Sequence, residues 1–314
     1  MKNIIITGAT GLVGKRIIKL LLARGYSVTA LTRNSEKASS LLPPEVNLVE
    51  WDFKSVSGTL ISEMGRADSV IHLAGENVLA KRWNEQHKKS IYNSRVKSTA
   101  FLAEAIEENP HRPESFISAS AVGYYGTVGG LPVNENSPWG NDFLSAVTKD
   151  WENASAPLEK LGIRRVFVRT GIVLDRNEGA LAKMITPFRF FVGGPLGSGL
   201  QPFPWIHIDD LARLYIYAVD NNSMSGAYNA SAPENINMMQ FCRELGSVMN
   251  RPSFFKVPGF ILKLLYGEGA EILLKGIPVV PKRTLESGFE FSYSDVKMAL
   301  ANLIKDYSNQ ETIS

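Results

Sequence analysis

A glycine turn near the start of the chain narrows the possible folds more than any other feature. KNIIIT (2–7) is a short apolar run with strand character, TGATGLVG (7–14) follows with glycines at 8, 11 and 14, and LVGKRIIKLLLARG (12–25) spaces its apolar residues as a helix does. Strand, glycine turn and helix in this order open a βαβ unit that binds dinucleotides. Gly8 permits the tight turn, Gly11 lets the main chain approach a pyrophosphate, and Gly14 lets helix and strand pack closely. Thr10, Leu12 and Val13 complete the cradle, where free N–H groups and the positive end of a helix dipole meet phosphate.

The second strand bears on which dinucleotide. SVTALTR (27–33) ends on Arg33, with no acid at its tip to hold adenosine ribose hydroxyls. A guanidinium pairs with a 2′-phosphate that a carboxylate would repel, so NADP(H) is favoured over NAD(H), with Lys37 adding to the field. The plainer alternative is a solvated Arg33. VNLVEWD (46–52) leaves Asp52 either to accept from an adenine amino group or to cap a turn. SVIHLAG (69–75) brings Leu73, Ala74 and Gly75 to the cofactor.

Further apolar runs at 115–120 and 164–174 alternate with helical patterns at 84–107 and 142–160. This predicts an α/β fold, a Rossmann-type doubly wound parallel sheet with helices on both faces. Residues 1–175 form the nucleotide-binding domain, to which a helix at 205–220 returns, with Asp209 as its cap. A smaller, mainly C-terminal substrate lobe takes 176–204 and 221–304, and 305–314 is a tail.

A net charge of +3, spread along the chain, speaks against nucleic acid. Cys242 stands alone, so no internal disulfide forms, and the four histidines lack ligand spacing, so no metal is expected. Apolar runs such as FILKLLYG (260–267) are too short to cross a bilayer. A cytoplasmic protein without membrane partners is the expectation.

TGATGLVG, WDF (51–53), HLAGE (72–76), SASAVGYYG (118–126), RTGIVL (169–174) and WIHIDDLA (205–212) together resemble the extended short-chain dehydrogenase/reductase family. GENV followed by RW, and GAYNASAPE (226–234), are similar to a bacterial and organellar branch of it, NAD(P)-dependent epimerases of uncertain substrate. The resemblance implies a serine that polarises a substrate oxygen, which falls on Ser120. It also implies a tyrosine that moves the proton and, four residues later, a lysine that holds the nicotinamide ribose. A possible homodimer through helices 84–107 and 142–160 belongs to the same implication.

Here the pattern departs from the family. FLSAVTKDWE (143–152), aligned on Glu152, puts Leu144 at the tyrosine position and Thr148 at the lysine position. Leucine moves no proton and threonine carries no charge. Tyr293 and Lys297 share the spacing but lie outside the crossover helix that gives it meaning. Tyr124 and Tyr125, just past the serine strand, are the local replacements. Glu76, Asn77, Arg82, Trp83 and Gln201 are candidates to shape a substrate pocket. The expected function is NADP(H)-dependent oxidoreduction or epimerisation of a small polar molecule, sugar-like or carbonyl. The alternative is a cofactor-binding sensor with a degenerate catalytic site.

Overall fold

The computed structural model describes residues 2–127 and 131–305; the predicted tail, from residue 306, lies outside the described residues. Among the described residues nine strands occur in order: β1 (Asn3–Thr7), β2 (Ser27–Thr32), β3 (Asn47–Glu50), β4 (Ser69–His72), β5 (Ser115–Ala121), β6 (Arg164–Thr170), β7 (Ile172–Leu174), β8 (Trp205–His207) and β9 (Gly226–Ala230). Helices α1 (Leu12–Ala23), α2 (Ser35–Ser39), α3 (Gly58–Met64), α4 (Glu85–Glu107), α5 (Phe143–Asn153) and α6 (Pro157–Lys160) connect the first six. Then come α7 (Gly179–Arg189), α8 (Ile208–Asp220), α9 (Met238–Met249), α10 (Gly259–Tyr266), α11 (Glu271–Leu274), α12 (Lys282–Glu286) and α13 (Val296–Lys305).

Seven strands form one parallel sheet in the order β3-β2-β1-β4-β5-β6-β9. Side chains of β1 alternate between its faces. Ile4 and Ile6 pack in the cluster containing Ile17 and Leu21 of α1 and Leu211 and Tyr215 of α8, whereas Ile5 packs with Leu102 of α4 and Leu158 of α6. Burial on both faces is why the strand reads as a continuous apolar run. The strand order reverses between β1 and β4, and a crevice at such a switch point is where this architecture receives ligands.

Local chemistry corrects the sequence reading in four places. The helix expected over 205–220 begins only at Ile208, because residues 205–207 pair with β7 as a short strand. Its cap is His207, whose Nδ1 accepts from the Asp209 N–H at 3.0 Å, and not Asp209. The helix expected over 142–160 breaks between Asn153 and Pro157, where proline has no N–H to continue it. The run 164–174 is two strands, parted at Gly171, where a Cβ would lie 2.6 Å from the Pro204 carbonyl oxygen. Finally, residues 226–230, expected in the smaller lobe, are the edge strand β9 of the main sheet.

Beyond the sheet, Leu181, Phe188, Phe203, Trp205, Phe241, Leu245 and Leu300 form a separate apolar cluster that joins α7, α9 and α13.

Candidate cofactor and substrate site

A cleft of about 960 Å³ opens over the strand-order reversal. Gly8, Ala9, Thr10 and Gly11 line its floor, with Leu73, Ala74, Gly75 and Glu76 on one side and Leu31, Thr32, Arg33 and Asp52 at one end. Gly8 has φ 69°, and a Cβ there would stand 2.9 Å from the Leu73 carbonyl carbon. At Gly14 a Cβ would come within 2.4 Å of the Gly8 oxygen, so α1 can pack this close to β1 only through glycine. Side chains of Asn34, Ser57, Asn84 and Asp142 cap α2, α3, α4 and α5, whereas α1, like α6, α7, α10, α11 and α12, has no side-chain cap, its N-cap being Gly11. The N–H groups of Leu12, Val13 and Gly14 therefore remain for an outside acceptor.

One buried network holds the two halves of this floor together. The Thr7 hydroxyl oxygen accepts from the N–H groups of Leu73 and Ala74, at 3.1 and 3.2 Å, and lies 2.7 Å from Nδ1 of His72. With its oxygen accepting, Thr7 donates to Nδ1, which leaves the ring proton on Nε2, 3.2 Å from the Ser98 hydroxyl. Ser98 passes its own proton to the Ser94 carbonyl at 2.8 Å. His72 is fully buried, and burial pushes its pKa down to about 3, with the Arg95 charge adding to the effect, so it stays neutral.

Arg33 is exposed within the cleft. Asp52 also lines it, but its Oδ1 accepts from the Lys54 and Ser55 N–H groups at 2.8 and 3.2 Å. Those bonds, Lys54 foremost, hold its carboxyl below the usual range, so the turn-capping alternative describes this geometry. Phe53, which the sequence reading passed over, lines the cleft at φ 62°, a conformation unusual for an aromatic residue, with its ring 4.2 Å from that of Trp51. Lys54 also lines the cleft, as do Ser90, Asn93, Lys97 and Phe101 of α4, which carry no sequence signal because α4 reaches the cleft only through tertiary packing.

At the far end of β5, Ser120 is buried, and its hydroxyl donates to Glu152 Oε1 at 2.6 Å. Arg169 clasps the same carboxylate with two bonds of 2.8 Å. Tyr125 is buried too. Its hydroxyl donates to Asn229 at 2.6 Å and accepts from Arg169 at 3.1 Å, and burial pushes its pKa up to about 12 against the pull of Arg169. This corrects Tyr125 as a proton-moving candidate: its hydroxyl is committed inside the protein. Tyr124 lies with its ring under the Arg169 guanidinium, 3.4 Å from Cζ to centroid. None of Ser120, Tyr124 and Tyr125 lines the cofactor cleft.

A second cavity of about 300 Å³ adjoins the family's tyrosine position. Trp83, Thr127, Asp142, Phe143, Leu144, Glu268, Glu271 and Ile272 line it. A Cβ on Gly123 would be 3.6 Å from Leu144 and 4.0 Å from the Thr148 hydroxyl, so both positions do face the end of β5. Thr148 spends its hydroxyl on the Leu144 carbonyl at 2.7 Å. Of the predicted substrate residues, Trp83 lines this cavity and Glu76 the larger cleft. Exposed Arg82 packs beside Gly267, and Asn77 caps its own turn at the Leu79 N–H. Gln201 is corrected: it is buried, donates to the Leu196 and Leu273 carbonyls at 3.0 and 2.9 Å, and lines neither cavity.

Arg95, on α4, carries a charge the sequence reading did not weigh. A Cβ on Gly75 would lie 3.1 Å from its Cζ, and its guanidinium stands 5.2 Å from the Trp151 ring centroid. Burial pulls its pKa down to about 10, with the Glu76 carboxylate opposing. No group of three or more potential metal ligands occurs among the described residues, and no helix among them is long and apolar enough to cross a membrane.

Comparison with known proteins agrees with this geometry. Residues 4–149 match the model of the NAD dependent epimerase/dehydratase family, and residues 257–303 match a domain of unknown function. The chain is 40% identical over 309 residues to the chloroplastic homolog of epimerase family protein SDR39U1 from Arabidopsis thaliana, covering 96% of this chain and 86% of that one. It is 36% identical over 305 residues to epimerase family protein YfhF from Bacillus subtilis, covering 97% and 98%. The crystal structure of human epimerase family protein SDR39U1 (isoform 2) with NADPH superposes with a TM-score of 0.85 at 32% identity, covering 97% of this chain and 99% of that one.

Proposed function

Because the chain belongs to the NAD dependent epimerase/dehydratase family, we propose that it binds NADP(H) and oxidises or reduces a small polar alcohol or carbonyl compound, in one direction or in an epimerising cycle. The observation that carries this reading is the joining, in one cleft, of the uncapped glycine-first helix and the exposed Arg33. Gly8 to Gly14 would hold the pyrophosphate and Arg33 the 2′-phosphate, and Phe53 offers a ring to the adenine. The human relative solved with NADPH supports the same choice. When bound, the nicotinamide supplies the hydride chemistry.

This chain's own residues set what that hydride can meet. Ser120 has its proton turned to Glu152, so its lone pairs are what it offers, and a substrate hydroxyl is what it recognises. Tyr124 is the phenol whose hydroxyl makes no hydrogen bond among the described residues, which leaves it to exchange a proton. Arg95 supplies beside Gly75 the positive charge that Thr148 cannot. The cavity at Leu144, floored by Trp83 and Phe143, receives the substrate body.

Leu144, Thr148 and the committed Ser120 proton favour a second reading, a cofactor-binding sensor without turnover. A screen of alcohols, carbonyl compounds and sugars with NADP+ or NADPH, followed by nicotinamide absorbance, separates the two. The enzyme reading expects turnover that Ser120→Ala lowers at least about tenfold with NADPH affinity unchanged. Tight NADPH binding without turnover on any compound would establish the sensor. Equal turnover in Ser120→Ala would remove Ser120 from the mechanism.

A further inference from the structure

The smaller lobe leaves an apolar face uncovered. On α10, Phe260, Ile261, Leu264 and Leu265 are exposed and share one side of the helix, at i, i+1, i+4 and i+5, while Leu262 turns inward and is buried. Just before α10, the chain runs along residues 193–197: Phe255 N–H donates to the Gly193 carbonyl at 3.2 Å and Gly197 N–H to the Val257 carbonyl at 2.9 Å. This pairing sets Phe254 and Phe255 beside the turn after α7, where Phe190, Phe191 and Val192 are exposed as well. Arg251 Cζ lies 4.4 Å from the Phe191 ring centroid and links the two segments further. Phe190, Phe254, Phe260 and Leu264 are 73, 70, 72 and 69% exposed, so the fold gains almost nothing from their apolar surface. Singly exposed apolar residues need no account, but nine of them on two chain stretches that pair at 193–197 and 255–257 mark an interaction surface.

Charge identifies the partner. The chain has no carboxylate between Glu178 and Asp209, and none between Glu244 and Glu268, while Arg251, Lys256 and Lys263 lie within the second of these stretches. The next acids along the chain are engaged, Glu268 by Lys88 and Glu271 by Lys275. A second copy of this face would bring cations against cations with no acid to pair them. An apolar centre flanked by Arg251, Lys256 and Lys263, with the acids that follow α10 already paired to lysines, complements a surface that is apolar beneath and anionic on top. We propose that this face rests on an anionic lipid surface, with α10 in the plane of the interface and Phe190, Phe254, Phe260 and Leu264 reaching below the headgroups. Eight residues of helix span about 12 Å, well short of the roughly 30 Å hydrocarbon core, so α10 lies on the membrane and does not cross it. The expectation of no membrane partner rested on the length of apolar runs, a criterion for spanning only. The face shares no residue with the cofactor cleft, so lipid binding and NADPH binding are separable.

Flotation of the full chain with phosphatidylcholine vesicles, with and without phosphatidylserine, tests the proposal. The protein is expected to float with the phosphatidylserine vesicles at low salt and to be released as salt screens the charges. Lys256→Gln and Lys263→Gln each weaken association about fivefold. Phe254→Ser, Phe260→Ser and Leu264→Ser together abolish it, and unchanged NADPH binding certifies that these surface variants are folded. No flotation with anionic vesicles, or flotation that both sets of variants leave intact, overturns the proposal. Concentration-dependent dimers dispersed by the three serine changes would overturn it in favour of a second copy, and capture of an acidic protein without any vesicle binding would overturn it in favour of a protein partner.

Discussion

His72 links the stability of the cofactor floor to pH. Its ring is fully buried and neutral, between the Thr7 and Ser98 hydroxyls, with a pKa pushed from its ordinary 6.5 to about 3. In the unfolded chain it titrates at its ordinary value, so above that value both states are neutral and the full stability is present. Between there and about pH 3 the unfolded state binds a proton that the native state refuses. Stability therefore falls as pH falls, by about 1.4 kcal/mol per unit once well below the ordinary value. From about pH 7 to about pH 5 the accumulated loss is about 2 kcal/mol. Urea unfolding of the wild type and of His72→Gln at both pH values isolates this contribution, because every other titrating group is common to the two proteins. The wild type is expected to lose about 2 kcal/mol more than the variant over that range. Equal losses would mean that His72 takes up its proton in the folded state, and the Thr7–His72–Ser98 arrangement would be wrong.

Glu152→Gln leaves the Arg169 guanidinium buried without a charged partner and is expected to cost about 3–5 kcal/mol of stability by urea unfolding; a loss below about 1 kcal/mol would show that the pair is solvated. Tyr125→Phe removes two buried hydrogen bonds and lowers stability by about 1–3 kcal/mol without altering the pH profile of turnover, whereas Tyr124→Phe lowers turnover and shifts that profile. Exchange of these two outcomes would reverse the roles assigned to the tyrosines.

The glycine turn and the alternation of strand with helix were legible because their signals are local: glycines at fixed offsets, and apolar residues at periods of two and 3.6. The three-residue strands at 172–174 and 205–207 are too short to show a period, which is why the apolar pattern places the start of helix α8 three residues too early. Ser120 could be found from the family resemblance, but its partners Glu152 and Arg169 come from 32 residues downstream and from the next strand over. Only packing unites them. Tyr124 and Tyr125 are adjacent in sequence and opposite in fate, because one turns its hydroxyl to Asn229 and the other does not. The apolar face is hidden in the same way, since its parts at 190–192 and 254–265 lie some sixty residues apart and each alone resembles ordinary core.

The most direct measurement is calorimetric titration of the wild type and of Arg33→Ser with NADPH and with NADH. A guanidinium paired with the 2′-phosphate contributes about 1.5–3 kcal/mol, so the wild type is expected to bind NADPH roughly ten- to a hundredfold more tightly than NADH. Arg33→Ser is expected to erase that difference by weakening NADPH alone. Equal affinities in the wild type, or no heat with either dinucleotide, would contradict the account at its root.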